Sequence, residues 1–182
     1  FEDLLNNSSG IIVLSGSIRC LLGNLFNKDL INEMEDIISK LSKSFPDDFY
    51  IEIQRHDDLN EKEFENFNLN ISKKFSLPIV ATNEVYYLEQ NMYEAHDALI
   101  CIGEKTYIND PNRIKLSNQH YLKSSDEMVE LFKDLPEALE NNFALPYRCS
   151  FKPSQSKPIL PSISIKDINT NDLLIKESND GL

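Results

Sequence analysis

The chain is short of positive charge. Its 182 residues carry 18 lysines and arginines against 30 aspartates and glutamates, a formal net charge of −12. A surface of that sign repels phosphate backbones, so direct nucleic-acid binding by this segment is disfavoured. Cysteine is scarce too: Cys20, Cys101 and Cys149 lie far apart and form no C-x-x-C pair. That argues against a disulfide framework or a zinc knuckle, suits a reducing cytosol, and casts all three as small buried apolar residues. No apolar run approaches the roughly 18 residues of a membrane span, and no basic-then-apolar leader stands at the start. A soluble, cytoplasmic protein with no membrane partner is therefore expected. Walker, G-x-G-x-x-G and H-E-x-x-H patterns are missing, and Ser15-Gly16-Ser17 lacks the rest of a G-x-S-x-G elbow, so it reads as a tight turn.

What is present is an alternation of short apolar runs and amphipathic stretches. Hydrophobic residues make up 41% of the chain, enough for one mid-sized core, and the length suits a domain plus part of another. An opening on Phe1-Glu2-Asp3 rather than Met is expected of a fragment, a processed chain or a trimmed one. Ile11 to Leu14 reads as a buried strand. From Asp29 to Ser44, Leu30, Ile31, Met34, Ile37, Ile38 and Leu41 recur at helical spacing and predict one buried face. Phe49 to Gln54 alternates, with Phe49, Ile51 and Ile53 on one side and Tyr50, Glu52 and Gln54 on the other, the pattern of a strand whose faces differ. Asn60 and Glu63 suggest a capping box for a helix carrying Phe64, Phe67, Ile71 and Phe75.

A third strand, Ile79-Val80-Ala81, runs abruptly into Thr82, Asn83 and Glu84. The order strand, helix, strand, helix, strand gives an α/β fold with parallel strands and crossover helices. A helix over about Met92 to Ile102 should pack inward through Ala95, Ala98, Leu99 and Ile102, with a loop from Gly103 through Pro111. Ser124/Glu127 and Asp134/Glu137 suggest capping boxes for two short helices ending near Phe143, with Pro136 early in the second and Pro146 breaking the pattern. Phe151 to Ser164 is linker-like in its Pro, Ser and Lys, and Asn171 to Leu182 can begin a new helix. Three strands cannot close a barrel, so missing strands are expected upstream.

Strand ends are where an α/β fold presents its chemistry. His56, just past the second strand, is followed by Asp57 and Asp58, a grouping able to give a divalent metal one imidazole nitrogen and one or two carboxylate oxygens. The competing reading is a loop histidine beside two aspartates that open the next helix. Glu84 and Tyr86 alternate past the third strand and should point the same way into a cleft. The carboxylate there could bind metal, whereas a phenol with an ordinary pKa of about 10 is a poor ligand at neutral pH; the competing reading is a strand end whose polar groups are satisfied by hydrogen bonds. His96-Asp97 reads as a helix-flank pair, and His120, in a polar stretch, as an exposed residue.

Six segments in fixed order carry a resemblance to a known family: GIIVLSGS at 10 to 17, FPDDFYIEIQRHD at 45 to 57, LPIVATNEVYYL at 77 to 88, EAHDALICIG at 94 to 103, INDPNRIKLSNQHYLKSSDEM at 108 to 128 and FKDLPEALENN at 132 to 142. They resemble the alpha subunits of bacterial DNA polymerase III, the C-family replicative polymerases. The resemblance implies that residues 1–147 are the later part of the family's PHP (polymerase and histidinol phosphatase) domain, a (β/α)7 barrel, and that 148–182 are a linker and the start of the polymerase core. It explains the unclosed sheet by placing the first barrel strands before Phe1.

Active PHP domains hold divalent metals, Zn2+ or Mn2+, at the strand ends and hydrolyse phosphoesters. His56 matches the family's ligand after the second strand here. The next motif, usually Asn-Asp-x-His, stands as Asn83-Glu84-Val85-Tyr86, which keeps an oxygen donor at Glu84 but loses an imidazole at Tyr86. The resemblance therefore implies a vestigial metal site at His56 and Glu84 and a PHP scaffold that supports the polymerase, docks the proofreading exonuclease and sits among other replicase subunits. DNA and the polymerase's Mg2+ would be held by the full-length protein outside this chain, whose residues include none of the polymerase aspartates. The alternative is a metal-dependent PHP phosphoesterase or 3'-5' exonuclease. Past Glu140 the match thins, where Phe143 to Pro146 is inserted before Arg148-Cys149 and the PILPSI run at 158 to 163.

Overall fold

The computed structural model describes residues 1–159 and 169–181, and the chain falls into two compact units, Phe1–Cys149 and Ser150–Leu182. The first is organised on three parallel strands, β1 (Val13–Leu14), β2 (Phe49–Ile53) and β3 (Ile79–Ala81), in the order β1-β2-β3. Val13 lies opposite Phe49, and Ile51 and Ile53 lie opposite Ile79 and Ala81. Parallel neighbours need long connections. Here they are α2 (Leu21–Asn27) with α3 (Ile31–Ser44), and then α4 (Glu61–Phe75), while α1 (Glu2–Asn6) precedes the sheet. The fold is mixed α/β as expected, and the described residues form this open sheet rather than a closed barrel.

The alternation in β2 is realised in part, because Tyr50 on the second face is buried as well. Phe49, Ile51 and Ile53 are buried in one cluster with Met34, Ile38 and Leu41 of α3 and Phe64 and Ile71 of α4, while Glu52 of β2 is only half-buried. Burying each large apolar side chain contributes about 1.5–3 kcal/mol, so this layer is the main source of stability. On α3, Leu30 is exposed and falls outside the helix, and Ile37 is half-buried. β1 is shorter than expected, because Ile11 lies exposed ahead of its paired residues.

Several local expectations need correction. Asn60 does precede α4, but in the left-handed region (φ 62°), and its amide donates to Asn27 instead of capping the helix. The helix over Tyr93–Gly103, α5, follows a single 3-10 turn at Gln90–Met92 and does not pack inward through its apolar residues. Leu99 is 63% and Ile102 74% exposed, Ala95 is exposed, Ala98 alone of the predicted set is half-buried, and the buried positions are Asp97 and Cys101. What faces inward is an ion pair, in which Arg113 donates to both Asp97 oxygens at 2.6 Å and pins the following loop to the helix. Of the cysteines, Cys101 is buried, whereas Cys20 and Cys149 are exposed.

α6 (Ser125–Leu131) has the full reciprocal capping box of Ser124 and Glu127. α7 (Pro136–Arg148) has Pro at its start, but its N-cap is Leu135 rather than Asp134, and it runs through Pro146 to Arg148. Asp134 is unavailable as a cap because Arg55 holds its carboxylate. In the second unit, residues 151–159 are exposed and lack helix or strand, and α8 (Thr170–Asp180) is capped by the Asn169 side chain. The rest of the predicted linker, with most of the PILPSI run, lies outside the described residues.

Candidate functional site

Beyond the carboxyl ends of the strands, four segments converge. The first three are the turn after β1, the residues after β2 and the residues after β3. The fourth is brought in by pairing: the Tyr86 N–H donates to the His120 carbonyl (2.9 Å), the Leu122 N–H donates to the Tyr87 carbonyl (3.0 Å), and Tyr87 and Tyr121 form an isolated parallel bridge. This ladder carries His120 into the interior. The expected exposed residue is in fact 0% exposed, and its ring stacks on that of His56, itself 1% exposed, at 4.2 Å and 5°.

Both rings are set by the backbone of Glu84. Its carbonyl can only accept, so His120 Nδ1, 3.1 Å away, carries the hydrogen and Nε2 faces the rim. The Glu84 N–H lies 3.2 Å from His56 Nε2, which is also 3.0 Å from Asn83 Oδ1. The other nitrogen, Nδ1, is 3.4 Å from Glu61 Oε1 and has no hydrogen bond of good geometry. Whether Nε2 donates to Asn83 or accepts from Glu84, no lone pair of His56 points into open space. Glu61 also accepts the His56 N–H at 2.6 Å, which locks the backbone at the end of β2.

The expectation that Glu84 and Tyr86 point the same way holds, since the Tyr86 hydroxyl donates to Glu84 Oε1 at 2.5 Å. The second oxygen, Oε2, accepts from Arg19 Nη2 at 2.5 Å. Burial would raise the Glu84 pKa, but the Tyr86 hydroxyl and the Arg19 guanidinium outweigh it and hold the carboxyl below its ordinary range. Burial and the neighbouring Glu84 push the Tyr86 phenol up to about 12. Asp58, the aspartate of the predicted grouping that joins His56 in the cluster, lies 3.5 Å from His120 Nε2 and 3.6 Å from Arg19 Nη2. Burial again acts upward on it, and His120 and Arg19 prevail to lower its pKa. Asp57 is exposed, with φ at 60°. His96 packs against the rings of Tyr86 and Tyr87, each at 5.3 Å.

Sequence reasoning missed two members. Arg19 offered one signal, a basic side chain just past a strand end in an acidic chain. His120 offered none locally, because its burial comes from a partner segment. The turn bearing Arg19 is shaped by Gly16, whose φ is +83° and whose added Cβ would lie 2.7 Å from the Cys20 Cβ. A polar layer joins the turn to the other strands. The Glu52 carboxylate accepts from the Gly16 N–H (3.1 Å), from Gln54 Nε2 (2.9 Å) and from the Thr82 hydroxyl.

As arranged, these donors do not present a vacant coordination shell. Both Glu84 oxygens are taken, the His56 nitrogens face protein, and among the described residues no group of three or more His, Cys, Asp or Glu side chains is placed to hold a metal ion. Beside the cluster lies a cleft of about 720 Å³ lined by Asp57, Asp58, Glu61, Glu65 and Asp134 against Arg55 and Lys62. That charge balance is poorly suited to phosphate. No described helix is long and apolar enough to cross a membrane.

No family model matches the chain. Among curated proteins, it is 38% identical over 182 residues to the DNA polymerase III subunit alpha of Rickettsia bellii, covering 100% of this chain and 16% of that protein. It is 35% identical over 180 residues to the DNA polymerase III subunit alpha of Pasteurella multocida, covering 98% and 16%, and 35% identical over 161 residues to that of Caulobacter vibrioides, covering 88% and 14%. The chain thus spans about one sixth of the length of the curated relatives it matches.

Proposed function

We propose a supporting role for this chain, which is homologous along its whole length to a segment of the DNA polymerase III alpha subunit. In that reading the full-length protein is a cytoplasmic DNA-directed DNA polymerase of chromosome replication. It extends a primer with deoxynucleoside triphosphates, using Mg2+ held by residues outside this chain. The present segment is the later part of a PHP-type barrel, closed by strands outside this chain, that leads into the polymerase core. It acts as a scaffold for the polymerase and a seat for the proofreading exonuclease and other replicase subunits.

One observation carries the scaffold reading. Glu84, the carboxylate at the expected metal position after β3, spends one oxygen on the Tyr86 hydroxyl and the other on Arg19. A rim whose acceptors are matched by protein donors is built to stay closed. The acidic cleft beside it supports the view that DNA is gripped elsewhere in the full-length protein.

The alternative, a metal-dependent PHP phosphoesterase or 3'-5' exonuclease, draws on the convergence of His56, His120, Asp58 and Glu84 at one end of the sheet. The test is phosphoester hydrolysis by the full-length subunit with Mn2+ or Zn2+. No metal-dependent hydrolysis is expected, and any background rate should be the same in His56→Ala. Metal-dependent hydrolysis that disappears in His56→Ala would replace the scaffold with the hydrolase.

A further inference from the structure

We propose that Arg19 is the resident cation of this rim: its guanidinium occupies the point on which Asp58, Glu84 and His120 converge, ties together the segments that carry them, and keeps a divalent ion out. The inference rests on the reading of this region as a scaffold without a working metal centre. Two carboxylate oxygens and an imidazole nitrogen, donor types that divalent metals take, surround one atom of the arginine. From Arg19 Nη2, Glu84 Oε2 is 2.5 Å away, His120 Nε2 3.5 Å and Asp58 Oδ2 3.6 Å. The direction of His120 is fixed independently, because its Nδ1 is committed to the Glu84 carbonyl and only Nε2 can face the guanidinium.

A guanidinium suits this place better than a metal in the present geometry. Zinc needs nitrogen and oxygen donors at about 2.0–2.2 Å on all sides, whereas these three spread from 2.5 to 3.6 Å. A delocalised, permanently charged fork satisfies acceptors at unequal distances and stays ionised when partly buried. Arg19 follows β1, Asp58 follows β2, Glu84 follows β3, and His120 sits on the segment paired with 86–87. One side chain therefore bridges all three strand ends and the added ladder, the mechanical task that a metal cluster would otherwise perform.

The test counts ions bound per chain in the full-length subunit by equilibrium dialysis against Mn2+ or Zn2+. It compares the wild type with Arg19→Gln, Arg19→Lys, Asp58→Asn and the double variant Arg19→Gln with Asp58→Asn. Arg19→Gln is expected to hold one ion more than the wild type, the double variant to lose it, and Arg19→Lys, which keeps the charge, to gain none. If Arg19→Gln folds poorly, restoration of its cooperative unfolding transition by Mn2+ or Zn2+ supports the proposal, and failure to restore it counts against. A folded Arg19→Gln with an unchanged ion count overturns the proposal while leaving the scaffold standing, and an equal gain in Arg19→Lys also counts against it. A wild type that already holds an ion lost in Asp58→Asn overturns the scaffold and the proposal together.

Discussion

Beneath the sheet, Phe49, Ile51 and Ile53 are sealed between α3 and α4 by apolar contact. Above the strand ends, His56 and His120 are buried as completely, but among carboxylates and a guanidinium. The two regions answer to different physics. Apolar burial has no direction, so the lower layer tolerates any arrangement that fills space. An ionic rim works only while each charge faces its partner, and loss of one partner strands the other in a poorly solvated place. The lower layer therefore sets how stable this unit is, and the rim sets how its strand ends are held.

The largest way to break that division is to hollow the lower layer. Phe49→Ala is expected to cost about 3–5 kcal/mol, since a fully buried ring leaves both lost transfer energy and a cavity. Urea unfolding measures it, and a loss of under about 1 kcal/mol would mean that the layer closes over the gap.

Between the layers in expected effect stands Arg55, just past β2. All its donors are used: two on Glu65 (2.5 and 2.9 Å), two on Asp134 (2.7 and 2.8 Å) and one on the Leu131 carbonyl (2.6 Å), while its plane lies 4.8 Å from the Phe132 ring. The clamp fastens β2, α4 and the α6–α7 junction to one another. Arg55→Ala should cost about 2–3 kcal/mol, and Arg55→Lys should recover little of it, because an ammonium cannot reproduce a planar fork. Full recovery by lysine would show that charge alone matters there.

The rim should reveal itself through pH where the lower layer does not. Asp58 and Glu84 have folded pKa values below their ordinary 3.8 and 4.5. Their contribution is thus present above those values and is lost as the pH falls through the lower, folded ones. Tyr86 is shifted the other way, from 10.0 to about 12, so its contribution is present below pH 10 and fades as the pH rises toward 12. Tyr86→Phe is expected to remove the alkaline loss and leave the acid one smaller but present. An unfolding profile in Tyr86→Phe identical to the wild type between pH 10 and 12 would count against the Tyr86–Glu84 link.

The two regions also differ in how far the amino-acid sequence reveals them. Met34, Ile38 and Leu41 repeat with the helix and Phe49, Ile51 and Ile53 with the strand, so local period suffices to place the core. His56, Glu84 and Tyr86 were legible because they follow strands. His120 was not: it is buried by a ladder with residues 86 and 87, a pairing over a long loop that no local pattern announces. Arg19 carried a local signal as a basic residue after a strand in an acidic chain, but its partner Glu84 lies 65 positions away and the pairing itself shows in no local pattern. In α5 the apolar residues misled, since Asp97, held by Arg113, is what turns inward and Leu99 and Ile102 do not.

The smallest expected effect separates a real helix cap from an apparent one. Ser124 and Asn60 each precede a helix with glutamate three residues on, and by sequence they are equivalent. In Ser124 the hydroxyl accepts the Glu127 N–H (3.3 Å) while Glu127 accepts the Ser124 N–H (2.7 Å), so both orphan donors are satisfied. Ser124→Ala should therefore cost about 1 kcal/mol. Asn60 makes no such bond and holds φ at 62°, a conformation that glycine adopts freely and alanine resists. Asn60→Gly should then be close to neutral and Asn60→Ala should destabilise by about 1 kcal/mol, because strain rather than a lost cap decides the outcome. The order Ser124→Ala worse than Ser124→Gly, with Asn60→Ala worse than Asn60→Gly, is shared by both mechanisms. The discriminating measurement is Glu63→Ala against Glu127→Ala, where only the second should weaken its helix in hydrogen exchange, since only Glu127 returns a bond to the residue before it.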